Sequence, residues 1–194
     1  MRLCIFPGTF NPIHNAHLKM AQYVIDNFGF DKIIFIPAYK PPHKDYKDEL
    51  SQHRLNMAKI ATNNNFKFEV SDIEFNRDGK SYTYLTILEL YKKYQVDEKI
   101  SMIIGTDAFK KIETWYETEK LRDLVDFIIF IRENEPVDFN YLKDKGYNFK
   151  FANMKFLDIS STEIRNRIAA GKAVLDFIPK EEEDYIKEYG LYKN

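Results

Sequence analysis

Short apolar runs alternate with longer runs of helical period, and this alternation limits the fold more than any other feature of the sequence. Leu3 to Phe6, Ile33 to Ile36, Ile100 to Ile104 and Phe127 to Ile131 are near-continuous apolar stretches. They read as strands buried on both faces. Between the first two, Leu18, Ala21, Val24, Ile25 and Phe28 share one helical face, and Gly29 is the expected stop. Ser51 is expected to cap a helix to about Ala61, and another helix is predicted over Ser81 to Tyr94. Strands are predicted over Phe66 to Phe75 and Phe149 to Phe156, with a short helix at Tyr141 to Lys145. Helices over Ser160 to Ala170 and Pro179 to Tyr189 end at Gly171 and Gly190. Strands separated by helices need crossover connections. The expected fold is therefore α/β: a Rossmann-like, doubly wound, mainly parallel sheet with flanking helices and a C-terminal helical segment. With no internal repeat or low-complexity stretch, residues 1–194 are expected to form one domain, its helical subregion lying at about 160–194. Such sheets bind ligands beyond the carboxyl ends of their strands. The loops after Phe6, Ile36, Ile104 and Ile131 are where chemistry is expected.

Composition narrows the function classes. Lys and Arg number 29 against 30 Asp and Glu, a formal net charge of −1. Nucleic-acid binding and polybasic membrane attachment both rest on a basic field, so neither is expected. No apolar run approaches the ~20 residues of a spanning helix. The single cysteine, Cys4, lies in the first apolar run and reads as a core residue. These features suggest a soluble, cytoplasmic protein. With 16 Phe, 13 Tyr and 1 Trp, an exposed aromatic patch could build a homo-oligomer, although most aromatics fill cores.

Two segments carry chemistry. The first strand runs into Gly8-Thr9-Phe10-Asn11-Pro12-Ile13-His14-Asn15-Ala16-His17. His14 and His17 share a face at a helix start, where backbone N–H groups favour an anion. Two imidazoles there can donate to phosphate oxygens; equally, they could be exposed residues of a plain strand–turn–helix. Zinc would need third and fourth ligands, and no spacing recommends His43 or His53. The second segment is Asp158-Ile159-Ser160-Ser161-Thr162-Glu163-Ile164-Arg165. Ser160 with Glu163 makes a capping box, while a hydroxyl-rich helix start with an arginine one turn in also suits a phosphate.

Together, G-T-F-N-P-x-H-x-x-H and I-S-S-T-x-I-R resemble the nucleotidylyltransferase superfamily, and the whole ordered set resembles the bacterial nicotinate-nucleotide adenylyltransferases. The set includes Pro41-Pro42-His43-Lys44, Ser51 with Arg54, Ser81-Tyr82-Thr83 with Thr86, Ile104-Gly105-Thr106-Asp107, Thr114-Trp115-Tyr116 and Arg132. The resemblance implies adenylyl transfer from ATP to nicotinate mononucleotide. Deamido-NAD and pyrophosphate would form by direct attack, with Mg²⁺ on the ATP phosphates and no covalent intermediate. It implies catalytic roles for His14, His17 and Arg165, and ATP contacts from Gly8, Thr9, Phe10, His14, His17, Gly105, Asp107, Ser160, Ser161 and Arg165. Lys44, Thr83, Thr86, Trp115, Tyr116 and Arg132 would bind the mononucleotide. Asp107 could instead cap a helix, Trp115 could be a core residue and Lys44 an exposed loop lysine.

The sequence departs from that family's pattern in three places. Ala16 stands where the family commonly has Gly, Leu85 where it often has an acid, and Pro7 precedes Gly8 where a second Gly is usual. The Pro-Gly pair resembles the pantetheine-phosphate adenylyltransferases. The alternatives are therefore the same chemistry on nicotinamide mononucleotide or phosphopantetheine, or a nucleotide-binding sensor without turnover. A class I aminoacyl-tRNA synthetase shares the histidine motif, but the chain has no K-M-S-K-S-like loop and no room for a tRNA-binding body.

Overall fold

A computed structural model of the chain describes residues 1–41, 48–131, 137–155 and 157–193. Six strands form one sheet in the order β3-β2-β1-β4-β5-β6, and every neighbouring pair is parallel. The strands are β1 (Leu3–Gly8), β2 (Lys32–Pro37), β3 (Phe68–Val70), β4 (Ile100–Gly105), β5 (Val125–Phe130) and β6 (Phe149–Ala152). The helices are α1 (Asn15–Phe28), α2 (Ser51–Thr62), α3 (Thr83–Lys93), α4 (Thr106–Phe109), α5 (Thr118–Leu124), α6 (Asn140–Asp144), α7 (Ser161–Ala169) and α8 (Lys180–Glu188). No described helix is long and apolar enough to cross a membrane.

The period of two along each strand divides the interior into two layers. Cys4, Phe6, Ile33, Phe35 and Ile103 face the layer shared with α1, α2, α7 and α8. Leu3, Ile5, Ile34, Ile36 and Met102 face the layer that contains Ile87, Leu90, Phe109 and Leu121. Because both faces are covered, the strands read as continuous apolar runs. Burial pushes the Cys4 thiol far up, which suits a core residue rather than a nucleophile.

Several element boundaries differ from the sequence expectation. The strand expected over Phe66 to Phe75 shrinks to Phe68–Val70, leaving Phe66 90% exposed. After it the chain turns, with the Phe75 N–H donating to the Asp72 carbonyl. Ser51 does not cap α2: a single 3₁₀ turn, Asp48–Leu50, runs straight into the helix, and Ser51 is buried as its first residue. Pro7 is the penultimate residue of β1, opposite Ile36 and past the last residue paired with β4. Its missing N–H therefore breaks no bond to that neighbour.

The α8 helix hides an unusual acid. Glu182 is fully buried, and neither carboxyl oxygen has a hydrogen-bond partner among the described residues. Burial pushes its pKa well above the ordinary 4.5. The unfolded chain loses this proton near its ordinary pKa, whereas the folded chain keeps it to higher pH. Stability is thus fully present below the unfolded pKa and falls as pH rises through the folded one. Glu182→Gln removes this dependence. Thermal unfolding of both proteins between about pH 5 and about pH 8 should show a melting-temperature gap that opens, in the variant's favour, as pH rises. Parallel curves would mean that burial does not raise the Glu182 pKa in the folded chain.

Candidate active site

In this strand order the winding reverses between β1 and β4, and such a reversal leaves a crevice at the carboxyl ends of the two strands. A cavity of about 1390 Å³ lies there, with Gly8 and Gly105 on its wall. That is ample for a nucleotide beside a second small substrate.

One wall is the loop from β1 into α1. Phe10 adopts φ +47°, a left-handed conformation rare for a bulky residue. Its ring folds back under the loop, 3% exposed, and packs on Phe6, Phe35 and His17 at 5.6, 5.9 and 5.0 Å between centroids. Gly8 is required by this ring: a Cβ on Gly8 would stand 2.8 Å from it. His14 sits at the helix N-cap in extended conformation. Its backbone N–H donates to His17 Nδ1 at 3.2 Å, and the two rings stack at 3.7 Å. With Nδ1 accepting, the neutral His17 ring carries its proton on Nε2, as a donor. The N–H of Asn15 donates to the Phe177 carbonyl at 2.8 Å, so the protein itself takes one of the helix-start amides. Ala16 also lines the cavity and is 5% exposed. Its methyl is accommodated within the turn.

The opposite wall begins at α7. Ser160 is the N-cap, accepting the Glu163 N–H at 3.1 Å. Ser161 Oγ donates to the Pro12 carbonyl at 2.8 Å. Arg165 donates from Nη1 to the Asn11 carbonyl at 2.8 Å and from Nη2 to Thr162 Oγ1 at 3.2 Å. The two motif segments, at opposite ends of the chain, therefore meet. Part of the Arg165 fork and the Ser161 hydroxyl proton serve as braces for the β1–α1 loop.

The third region is aromatic. Trp115 is half-buried, lining the cavity while packing against the second core layer. Tyr116, 47% exposed, stacks on Tyr82 at 4.6 Å. Thr83 opens α3 on the cavity wall. Thr86 is not there. It is 2% exposed, and its hydroxyl donates to Glu74 Oε1 at 2.7 Å while accepting from Arg77 Nη2 at 3.2 Å. It belongs to a buried polar network in which burial raises the Glu74 pKa. Asp107 likewise does not line the cavity: it is exposed in the first turn of α4, whose N-cap is Gly105. Lys44 and Arg132, with Pro42 and His43, lie outside the described residues.

Arg54 is more central than its place in the S-x-x-R resemblance suggested. It is 2% exposed, and its guanidinium donates to the Thr9 carbonyl at 2.6 Å and the Tyr39 carbonyl at 3.3 Å. It thereby ties the loop after β1 to the loop after β2. Arg54, Lys80, Lys155 and Arg165 set a positive field on the wall, against Asp158, which suits anionic ligands. Lys80 gave no signal in the sequence beyond its charge. Among the described residues no group of three His, Cys, Asp or Glu side chains could hold a metal ion.

Comparison with known proteins agrees with this geometry. Residues 5–167 match the Cytidylyltransferase-like family. A probable nicotinate-nucleotide adenylyltransferase of Clostridium tetani is 39% identical, across 97% of this chain and 98% of its own. One of Bacillus pumilus is 40% identical, across 100% and 99%. Among solved structures, the nicotinic acid mononucleotide adenylyltransferase of Plasmodium falciparum complexed with NaAD superposes with a TM-score of 0.78 at 28% identity. That match covers 98% of this chain and 97% of the other.

The contact between Gly8 and Phe10 yields a mutational test. The Phe10 ring is wedged among three others and cannot swing aside, so Gly8→Ala must displace the loop. Denaturant unfolding should register a loss of about 1–3 kcal/mol, together with reduced ATP affinity. An alanine variant as stable as the parent would mean that the ring yields freely.

Proposed function

Because the chain belongs to the Cytidylyltransferase-like family, and within it to the nicotinate-nucleotide adenylyltransferases, we propose that the cavity joins ATP and nicotinate mononucleotide. A phosphate oxygen of the mononucleotide attacks the α-phosphorus of ATP. The bond from that phosphorus to the bridging oxygen of the β-phosphate breaks. Pyrophosphate leaves, and deamido-NAD, the product of this step of NAD synthesis, remains. The reading is carried by one observation above the others: His14 and His17 from α1 and Ser160, Ser161 and Arg165 from α7 converge on the same crevice, locked together through Asn11 and Pro12.

Transfer of this kind asks for positioning and charge stabilisation rather than a protein nucleophile. The donor at His17 Nε2 is suited to the oxygens of the transferring phosphate as charge builds on them. His14, stacked on it, keeps the ring oriented and faces the same phosphates. Gly8, Thr9 and Phe10 offer the loop backbone to the nucleotide, and Gly105 offers the end of β4 to its nucleoside. Trp115 offers a ring face for the pyridine, with Tyr116 beside it. Thr83, at the start of α3, is placed to donate to the pyridine carboxylate, an anion that rewards donors where a carboxamide would not. A divalent cation, Mg²⁺ in this proposal, would be held by the ATP phosphates and would supply charge neutralisation for the pyrophosphate. Lys44 and Arg132 are kept as proposed contacts of the mononucleotide, and the cytoplasm as the proposed setting.

Pyrophosphate release, followed with ATP and Mg²⁺, should be fast with nicotinate mononucleotide and slow with nicotinamide mononucleotide and phosphopantetheine. ATP binding without release on any acceptor would instead make the protein a nucleotide sensor. His17→Ala should lower kcat by about 10²–10³ in a protein that still unfolds cooperatively, at a somewhat lower temperature because the ring packs on Phe6 and Phe10 and accepts the His14 N–H. Equal turnover would remove the central assignment. Trp115→Ala should raise KM for the mononucleotide well above any change for ATP.

A further inference from the structure

We propose that Tyr192 is a positioning residue for this reaction, its hydroxyl holding the Asn11 side chain so that the Asn11 carboxamide nitrogen donates to a phosphate oxygen of ATP. The proposal rests on the reading of the cavity as an ATP site. Tyr192 Oη donates to Asn11 Oδ1 at 2.7 Å. A carboxamide has one acceptor oxygen and one donor nitrogen, so engaging Oδ1 fixes which way Nδ2 points. Asn11 lines the cavity, and its Nδ2 makes no hydrogen bond among the described residues.

The backbone around Asn11 is already immobilised. Its carbonyl accepts from Arg165, and the next carbonyl, of Pro12, accepts from Ser161. The freedom that remains is rotation of the Asn11 side chain, and Tyr192 removes it. Before the anion arrives, a carboxamide left free to turn would point its oxygen at the site about as often as its nitrogen, and binding would have to select the second orientation.

Tyr192 is itself held for this contact. At the end of α8, Gly190 takes φ +61° and the Leu191 N–H donates to the Ile186 carbonyl at 3.0 Å, turning the chain back on itself. Tyr192 then takes φ +61°, a conformation a tyrosine adopts only where its surroundings enforce it. Burial and the nearby Glu182 push the phenol pKa up, against the smaller pull of Arg165 and Arg54. The hydroxyl therefore stays protonated and able to donate.

The test is a double-mutant cycle of Tyr192→Phe and Asn11→Ala. Each protein is measured for ATP affinity by calorimetry without acceptor, for KM of both substrates and for melting temperature. Tyr192→Phe removes one hydroxyl and keeps the ring. It should weaken ATP binding and raise KM for ATP by about two- to fivefold, because binding must now orient a freed carboxamide, leave KM for the mononucleotide unchanged, and lower the melting temperature by no more than about 2–4 °C, the worth of one net hydrogen bond. In the Asn11→Ala background the same change should have no further effect. The proposal is overturned if Tyr192→Phe leaves ATP affinity intact, if its effect persists undiminished without Asn11, or if KM for the mononucleotide rises as much as KM for ATP. Calorimetry needs no turnover, so an intact cycle in a protein that released no pyrophosphate would sink the transfer reading and leave this one standing.

Discussion

The loop between β1 and α1 is anchored on three sides, and the site depends on those anchors. Phe10 turns its ring down into the core, where it packs against Phe6, Phe35 and His17. Arg54 reaches up from α2 to the Thr9 carbonyl. Arg165 and Ser161 arrive from α7 and take the carbonyls of Asn11 and Pro12. A buried carbonyl left without a donor costs about 1–3 kcal/mol, so the anchors from α2 and α7 each satisfy a group that the tight turn would otherwise strand. The result is a loop whose carbonyls face the protein. His14 and His17 are carried on its far end in fixed orientation.

The sheet was legible because its signal is redundant. The four strands buried on both faces leave long apolar runs, and six strands separated by helices admit few arrangements. Element ends were less so. Phe66 to Phe75 carries a weak alternation that a three-residue edge strand satisfies, and the rest obeys turn chemistry around Asp72. The site divides in the same way. His14, His17, Ser160, Ser161 and Arg165 fall on the two helix starts that the topology brings together. Thr86 lies one turn after Thr83, so sequence spacing gives both the same face. The structure separates them by depth, because Glu74 offers Thr86 a buried acceptor. Asp107 follows Gly105 closely in sequence, but the first turn of α4 carries it outward. Arg54 was visible as a motif member, yet nothing in a helix of mixed polarity signals that its guanidinium is buried against two loop carbonyls.

Net charge misleads in a chain like this one. The total of −1 is a sum over the whole chain, whereas the cavity wall gathers Arg54, Lys80, Lys155 and Arg165 with Asp158 in opposition. A local field in a low-dielectric cleft acts on a phosphate far more strongly than a distant carboxylate does. Exclusion of nucleic acid on the total charge therefore leaves small polyphosphates untouched as ligands. Screening by salt also reaches such a recess less than it reaches exposed pairs.

The bond from Tyr192 to Asn11 joins residues 181 apart, and this separation bears on the order in which the protein becomes competent. A ribosome adding about 5–20 residues per second places the glycine loop and both histidines outside early. The hydroxyl that orients Asn11 follows roughly 10–35 s later at that rate, after α7 has supplied Arg165 and Ser161. Restraint of the Asn11 side chain thus waits on a residue made long after it. A chain cut short of Tyr192 would carry the residues of all six strands and of both motif helices, yet lack the hydroxyl at Asn11.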